Sequence, residues 1–287
     1  MKHGIEHLSS SSLGTYQKCP LQWRLHYLDR IPEEPALPAA LGSFGHQILE
    51  WLIGSHEPAD RTIDTALSLC KELWYKEVES DEPEFLILPE WNTIENRQQI
   101  ARGIRNYFRL EDPTKVDYHE VEQAKHYQLT PDYTFKYILD RLDNNVDRTY
   151  GNVDYKFGKM PLPAYATQAL MQLYTYAWLE LQAGYDVKSV KIIYMGDPCG
   201  IIYVDDVRPH LPEIEKTITR RTNKIFDLLA EDDPIFKPKT GPLCAWCSYV
   251  GDCPKGQQEV SRRFSQGNIR PDAPAIKTLY EQASLIS

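Results

Sequence analysis

The spacing of apolar positions changes several times along this chain, and the changes outline an α/β protein. Through the first third they recur every three to four residues, which predicts helices near 10–29, 39–54, 61–79 and 93–109. The period then drops to two, predicting strands near 117–129, 133–143 and 149–157, with Asn144-Asn145 and Gly151 supplying turn chemistry before the third. A helix follows over 164–183, then strands near 189–195 and 200–205, then a helix over 209–230. The Asp- and Pro-rich stretch Glu231–Gly241 reads as a loop, and a short charged tail after Pro254 ends in a helix from Pro274 to Ser284. Strands, then a helix, then strands imply a mixed central sheet flanked by helices, with the helical N-terminal part capping it.

The strands carry the most pointed chemistry. Ile138-Leu139-Asp140-Arg141-Leu142-Asp143 is followed after a turn by Val153-Asp154-Tyr155-Lys156-Phe157. Side chains alternate along a strand, so Asp154 and Lys156 face the same way, and pairing of the two strands sets Asp140 beside Asp154. Neighbouring carboxylates repel unless a divalent cation lies between them. A lysine there can orient water and balance charge growing on a phosphate, so the pattern suits metal-dependent phosphodiester cleavage. The bland alternative is a surface hairpin with solvated charges.

Three further features bear on that choice. On the 39–54 helix, Gly42 and Gly45 permit close approach of another element, and His46, an imidazole suited to manganese or iron, shares a helix face with Glu50. On the 164–183 helix, Gln168, Gln172 and Tyr176 form a polar stripe one turn apart, able to bond a phosphate or fix the lysine, or else plain amphipathicity. Of six cysteines, Cys244-x-x-Cys247-x5-Cys253 is spaced as a metal loop, and Cys19-Pro20 and Cys253-Pro254 echo the Cys-Pro ending of iron–sulfur ligand runs. Cys19 is the remote fourth thiolate; a tetrahedral zinc site suits the same set. Cys70 and Cys199 read as structural or incidental.

Composition narrows the setting. No signal core or run of membrane-spanning length occurs, which predicts a soluble, cytoplasmic protein whose thiols stay reduced. The net charge of −9 argues against a nucleic-acid coat protein but leaves room for a local basic groove; candidates are Lys18, Arg24, Arg30, Arg220, Arg221, Lys224, Arg262 and Arg263. The 18 tyrosines offer stacking surface for single strands, although most suit packing.

Together these residues resemble the RecB-like branch of the PD-(D/E)XK nuclease superfamily, in particular its members with a four-cysteine iron–sulfur cluster, such as CRISPR-associated RecB-like exonucleases, the AddB nuclease domain and phage-encoded relatives. The serine-rich run from Leu8 to Cys19-Pro20, Gly42-x-x-x-His46, Asp140-Arg141, Asp154-Tyr155-Lys156, Gln172-x-x-x-Tyr176 and the Cys244, Cys247, Cys253 trio fall in family order. Two departures are Phe157, where Thr is usual, and Tyr137 or Ile138, where a Gly often precedes the first acid; they leave open a changed substrate path.

The resemblance implies a restriction-endonuclease-like fold and one nuclease domain over 1–287. Its parts are a helical cap with the first cluster cysteine (1–115), a nuclease core (116–230), a cluster-binding segment (231–260) and a tail (261–287). It implies Mg2+ or Mn2+ held by His46, Asp140, Asp154 and the Tyr155 carbonyl. Asp140, Asp154, Lys156, Gln172 and Tyr176 would be catalytic, and Cys19, Cys244, Cys247 and Cys253 would hold a [4Fe–4S] cluster. The implied activity is exonucleolytic cleavage of single-stranded DNA ends or flaps in recombination, end processing or CRISPR spacer acquisition, in company with proteins of those pathways. A catalytically quiet, cluster-stabilised DNA-binding scaffold is the rival expectation.

Overall fold

A computed structural model describes residues 5, 7–33, 36–83 and 91–284. In chain order its main elements are β1 (His7–Leu8), α1 (Ser10–Lys18), α2 (Pro20–Trp23), a π-helical turn (Arg24–Leu28), α3 (Leu37–Ser55), α4 (Ile63–Glu79), α5 (Ile94–Leu110), β2 (Tyr118–Gln128), β3 (Thr134–Asn144), β4 (Tyr150–Lys156), α6 (Ala166–Gln182), β5 (Val187–Tyr194), β6 (Gly200–Val204), α7 (Leu211–Ala230), α8 (Pro254–Ser265) and α9 (Pro274–Ser284). No helix among the described residues is long and apolar enough to cross a membrane.

The chain divides into two compact units. One gathers Pro35–Tyr127 and Lys136–Ile218; the other gathers Met1–Glu34, Gln128–Phe135 and Thr219–Ser287. The central unit is the mixed α/β structure that the residue pattern predicts. Its sheet runs β3-β4-β5-β6, with β2 on the far side of β3. The β3/β4 and β5/β6 pairs are antiparallel and β4/β5 is parallel, with α6 as the crossover that a parallel pair requires. In the β3/β4 pairing Arg141 lies opposite Val153, so Asp140 and Asp154 fall on adjacent strands at the next step of the ladder.

Thr62 and Thr93 cap the N-termini of α4 and α5 through their hydroxyls. α3, α4 and α5 bury Phe44, Ile48, Leu52, Leu73, Trp74, Ile104 and Tyr107 in a core shared with Val153, Tyr155, Ile193 and Met195 of the sheet. By alternation, Asn152, Asp154 and Lys156 point to the other face, where α6 packs on β4 and β5. Gly45 admits the Phe157 ring, which also sits 2.8 Å from where a Cβ on Gly103 would be. The Phe that replaces the usual Thr is thus a wedge between α3 and α5. Gly42 faces open space, contrary to the close approach expected of it.

In the second unit, β1 pairs in parallel with Thr134 and Phe135, and Tyr133 stacks on Phe226 at 4.4 Å. The helix expected over 10–29 is broken. Pro20 has no N–H and pushes the residue before it out of the helical region, so Cys19 is extended (φ −159°, ψ 113°) and turns its thiol out of α1. The segment after Pro254, expected as a charged tail, is instead helix α8. Its proline stands at the first helical position and Cys253 caps it by accepting from the Gly256 N–H. α8 and α9 close a small core of Ala245, Val250, Val260, Ala273, Ala275 and Ile276.

Candidate active site

Five side chains from four elements of the central unit meet at the β3–β4 step. His46 of α3 places Nδ1 3.4 Å from Asp140 Oδ2 and 3.9 Å from Glu122 Oε1 of β2. Among the described residues, His46, Glu122 and Asp140 form the one His/Cys/Asp/Glu group whose ligand atoms all lie within 4.8 Å of one another, which suits a metal ion. Asp140 Oδ2 also accepts a 2.7 Å hydrogen bond from the Tyr155 N–H, which fixes the carboxylate against β4. The Tyr155 side chain turns to the opposite face.

Asp154 is buried beside them and pairs with Lys156, whose Nζ donates to Oδ1 at 2.8 Å. Lys156 Nζ is also 2.8 Å from Asp154 Oδ2, but that oxygen has no well-aligned donor and remains a buried acceptor without a hydrogen bond. Asn152, fully buried one step earlier on the same face, has neither amide atom satisfied. Orphaned buried polar atoms are costly, and both of these residues lie on the face of β4 that carries the acids. Gln172 of α6 donates to Asp154 Oδ1 at a long 3.5 Å and to the Tyr176 hydroxyl at 3.2 Å. Within the polar stripe it is Gln172 that points at the second acid, and Tyr176 is linked to it through Gln172.

Burial and mutual charge set the ionisation of these groups. Burial and the nearby Asp140 push the Asp154 carboxyl up to about 6, against the pull of Lys156 and His46. Burial disfavours a charged imidazole at His46, yet the carboxylates of Asp140 and Glu122 override it and push the pKa up to about 10. Lys156 behaves likewise: burial opposes its charge, and Asp154 raises it on balance. Glu50, the expected face-mate of His46, is exposed and outside the ligand group; burial and Glu122 raise its carboxyl.

Glu122 is the residue that reading the sequence missed. It has φ of +48°, a left-handed conformation rare outside Gly, Asn and Asp. Exposure along β2 alternates before residue 120 and after 124 but in opposite phase, as an extra residue in a strand requires. That irregularity aims Glu122 at His46. Nothing in the local sequence announces it.

In the other unit, Cys19, Cys244, Cys247 and Cys253 line one cavity with Lys18, Gln22, Lys239 and Val250. All six cysteines are free thiols. Three of the four sulfurs accept backbone N–H bonds: Cys19 from Lys239 at 3.3 Å, Cys244 from Gly241 at 3.4 Å and Cys253 from Gly256 at 3.2 Å. Burial, then repulsion from the neighbouring thiolates, pushes Cys247 up to about 11. No three of these sulfurs come within 4.8 Å of one another. Cys70 is buried in the helical core, where burial raises its thiol to about 11, and Cys199 sits in the turn between β5 and β6. Of the groove candidates, Arg24 is paired with Asp29, and Arg262 and Arg263 are paired with Glu259.

Comparison with known proteins bears on the site. A search of curated proteins finds no match. Among solved structures, the "Putative exonuclease" of Eubacterium rectale superposes with a TM-score of 0.50 at 15% identity, over 81% of this chain and 84% of that one. The crystal structure of SSO0001 aligns over 88% of this chain and 87% of that one, with a TM-score of 0.41 at 13% identity. The likeness to the Eubacterium rectale protein is of fold. The family model of the PD-(D/E)XK nuclease superfamily matches residues 7–254, which spans the His46, Asp140, Asp154 and Lys156 constellation and the cysteine segments alike. By that match, and with acid, acid and lysine meeting on adjacent strands, this chain belongs to the PD-(D/E)XK nuclease superfamily.

Proposed function

We propose that the protein is a divalent-metal-dependent deoxyribonuclease of the RecB-like type, acting as an exonuclease on single-stranded ends or flaps. The observation that carries the reading is the meeting of His46, Glu122 and Asp140 beside a buried Asp154 that is paired to Lys156. A carboxylate-rich site with an unsatisfied Asp154 oxygen fits Mg2+ or Mn2+. Asp140, Asp154, His46, Glu122 and the Tyr155 carbonyl would hold it. Bound there, the cation would supply Lewis-acid stabilisation of the phosphate and a more acidic water.

The chain's own residues do the rest. Lys156, kept cationic by Asp154, would orient the attacking water and stabilise the charge that grows on the scissile phosphate. Gln172 and Tyr176 hold the Asp154 carboxylate in its rotamer. The Tyr155 N–H does the same for Asp140. Cleavage of labelled single strands with Mn2+ tests the reading. Asp154→Ala abolishes it, whereas Lys156→Ala lowers the rate by about 10²–10³-fold with DNA affinity retained, as for loss of a transition-state contact. Full cleavage by pure Asp154→Ala removes the site. Labels at the 5′ and 3′ ends assign polarity.

The cysteine cavity supports a [4Fe–4S] cluster on Cys19, Cys244, Cys247 and Cys253. Backbone N–H groups aimed at sulfur stabilise thiolates, and the four cysteines line one cavity; a tetrahedral zinc on the same four thiolates is the alternative. A cluster spreads its ligands because each binds a different iron. Anaerobically purified protein is then brown and bleaches in Cys247→Ala; a colourless protein with one zinc per chain decides for zinc. Cytoplasmic work in recombination, end processing or CRISPR adaptation fits these parts.

A further inference from the structure

In the unit that carries the cysteines, a cleft of about 480 Å3 is lined by Leu13, Tyr16, Gln17, Pro20, Arg220, Arg221, Lys224 and Lys239. Its charge is unusual for a protein of net charge −9. On α7, Lys224 lies four residues after Arg220 and three after Arg221, so it neighbours both on the helix surface, and Lys239 comes from the loop that reaches Cys19. Among the described residues, none of the four cations has a carboxylate within ion-pair distance, whereas Arg24, Arg208, Arg262, Arg263 and Arg270 each have one. Burial, and after it the adjacent Arg220, lowers the pKa of Arg221. Four cations held together unneutralised are the electrostatic footprint of a polyanion site.

The cleft is also shaped and braced. Gln17, with its amide turned to suit its neighbours, accepts from Arg221 Nη2 at 3.0 Å, and Lys239 Nζ donates to the Gln17 carbonyl at 3.1 Å. Arg221 keeps donors free for a ligand, because a guanidinium offers five. Tyr16 is half-buried and held edge-on by Trp23, with ring centroids 5.7 Å apart, so the lining combines an aromatic ring and apolar Leu13 and Pro20 with the cationic wall. Ring and cations side by side match a flexible strand whose bases stack and whose phosphates face outward.

We infer that this cleft binds single-stranded DNA, with Arg220, Arg221, Lys224 and Lys239 on consecutive phosphates and Tyr16 against a base. The inference rests on the nuclease reading for its choice of polyanion. It is tested by fluorescence anisotropy of a labelled single-stranded oligonucleotide with full-length protein in EDTA, where nothing is cleaved. Arg220→Glu combined with Lys224→Glu weakens binding at least tenfold. It also flattens the slope of log affinity against log salt by about 1–2, since each phosphate contact to a single strand contributes about 0.7. Arg220→Gln with Lys224→Gln gives the smaller loss, and Tyr16→Ala weakens binding about tenfold with the slope unchanged, as loss of a stacked base does.

Wild-type affinity and salt slope in both double variants, with melting unchanged, overturn the cleft. So does a duplex of the same sequence that binds more tightly and loses more in the variants. Because the measurement needs neither metal nor hydrolysis, the two readings fail separately. A protein that binds through this cleft yet cleaves nothing keeps the inference and loses the nuclease; one that cleaves normally and ignores these cations does the reverse.

Discussion

The two faces of β4 hold two buried charge clusters that behave in opposite ways. Behind the strand, Arg141 is completely buried and bonds Glu111 and Asp143, while Lys191 reaches Glu111 at 2.6 Å. Two cations face two carboxylates. Burial works against the Glu111 charge, but Arg141 and Lys191 override it and hold the carboxyl down to about 2. In front, Asp140, Asp154 and Glu122 face only Lys156 and an imidazole, and there the Asp154 carboxyl rises to about 6 and His46 to about 10. Glu111 and Asp154 shift in opposite directions because Glu111 faces Arg141 and Lys191 whereas Asp154 is buried beside Asp140; Asp143, behind the strand, is raised by burial despite Arg141. The rear cluster is a brace, and the front one contains the His46, Glu122 and Asp140 group that could hold a metal ion.

Substitutions break the comparison most sharply at its two centres. Arg141→Ala leaves Glu111 and Asp143 to share Lys191 as their one cation and lowers stability by about 3–5 kcal/mol, seen as an early urea midpoint. Asp154→Ala, which destroys cleavage, relieves repulsion in metal-free protein and leaves the midpoint unchanged or higher. Equal losses in both would erase the distinction. Metal sharpens it next. Mn2+ at a hundred times its dissociation constant stabilises the wild type by about 2.7 kcal/mol. Glu122→Gln weakens Mn2+ affinity about 10–100-fold, on the scale of losing a supporting partner, so the melting shift shrinks at fixed Mn2+. An unchanged shift would remove Glu122 from the site.

The smallest test uses acid. Glu111 has a folded pKa of about 2 against an ordinary value of 4.5, so it contributes stability that is present above about pH 4.5 and lost as pH falls toward 2. Urea midpoints between pH 5 and 3 fall in the wild type and fall less in Glu111→Gln, which begins less stable. If both fall alike, the brace is not the acid-sensitive element.

Much of this was legible residue by residue. Period two with intervening turn chemistry gave β3 and β4 nearly to their ends, and alternation along Asp154-Tyr155-Lys156 gave the faces, because strand geometry leaves no other choice. The pairing of Asp140 with Asp154 followed from a short antiparallel connection. What misled was context. Residues 10–29 have helical spacing throughout, yet one proline at 20 splits them and sends Cys19 outward; the charged segment after Pro254 looks like tail until Ala245, Val250 and Ala275 give Val260 something to pack against.

The sequence by itself determined the order of elements, the acid–acid–lysine placement and the spacing of the cysteines, since each is written in local period or short separation. Only tertiary structure decided that Glu122 joins His46 and Asp140, that Phe157 wedges Gly45 from Gly103, and that Tyr16 and Lys239 share a cleft with α7. These depend on a strand irregularity, on a void between helices and on residues more than two hundred positions apart. No local pattern encodes such contacts, because their energy exists only once the distant partners are packed.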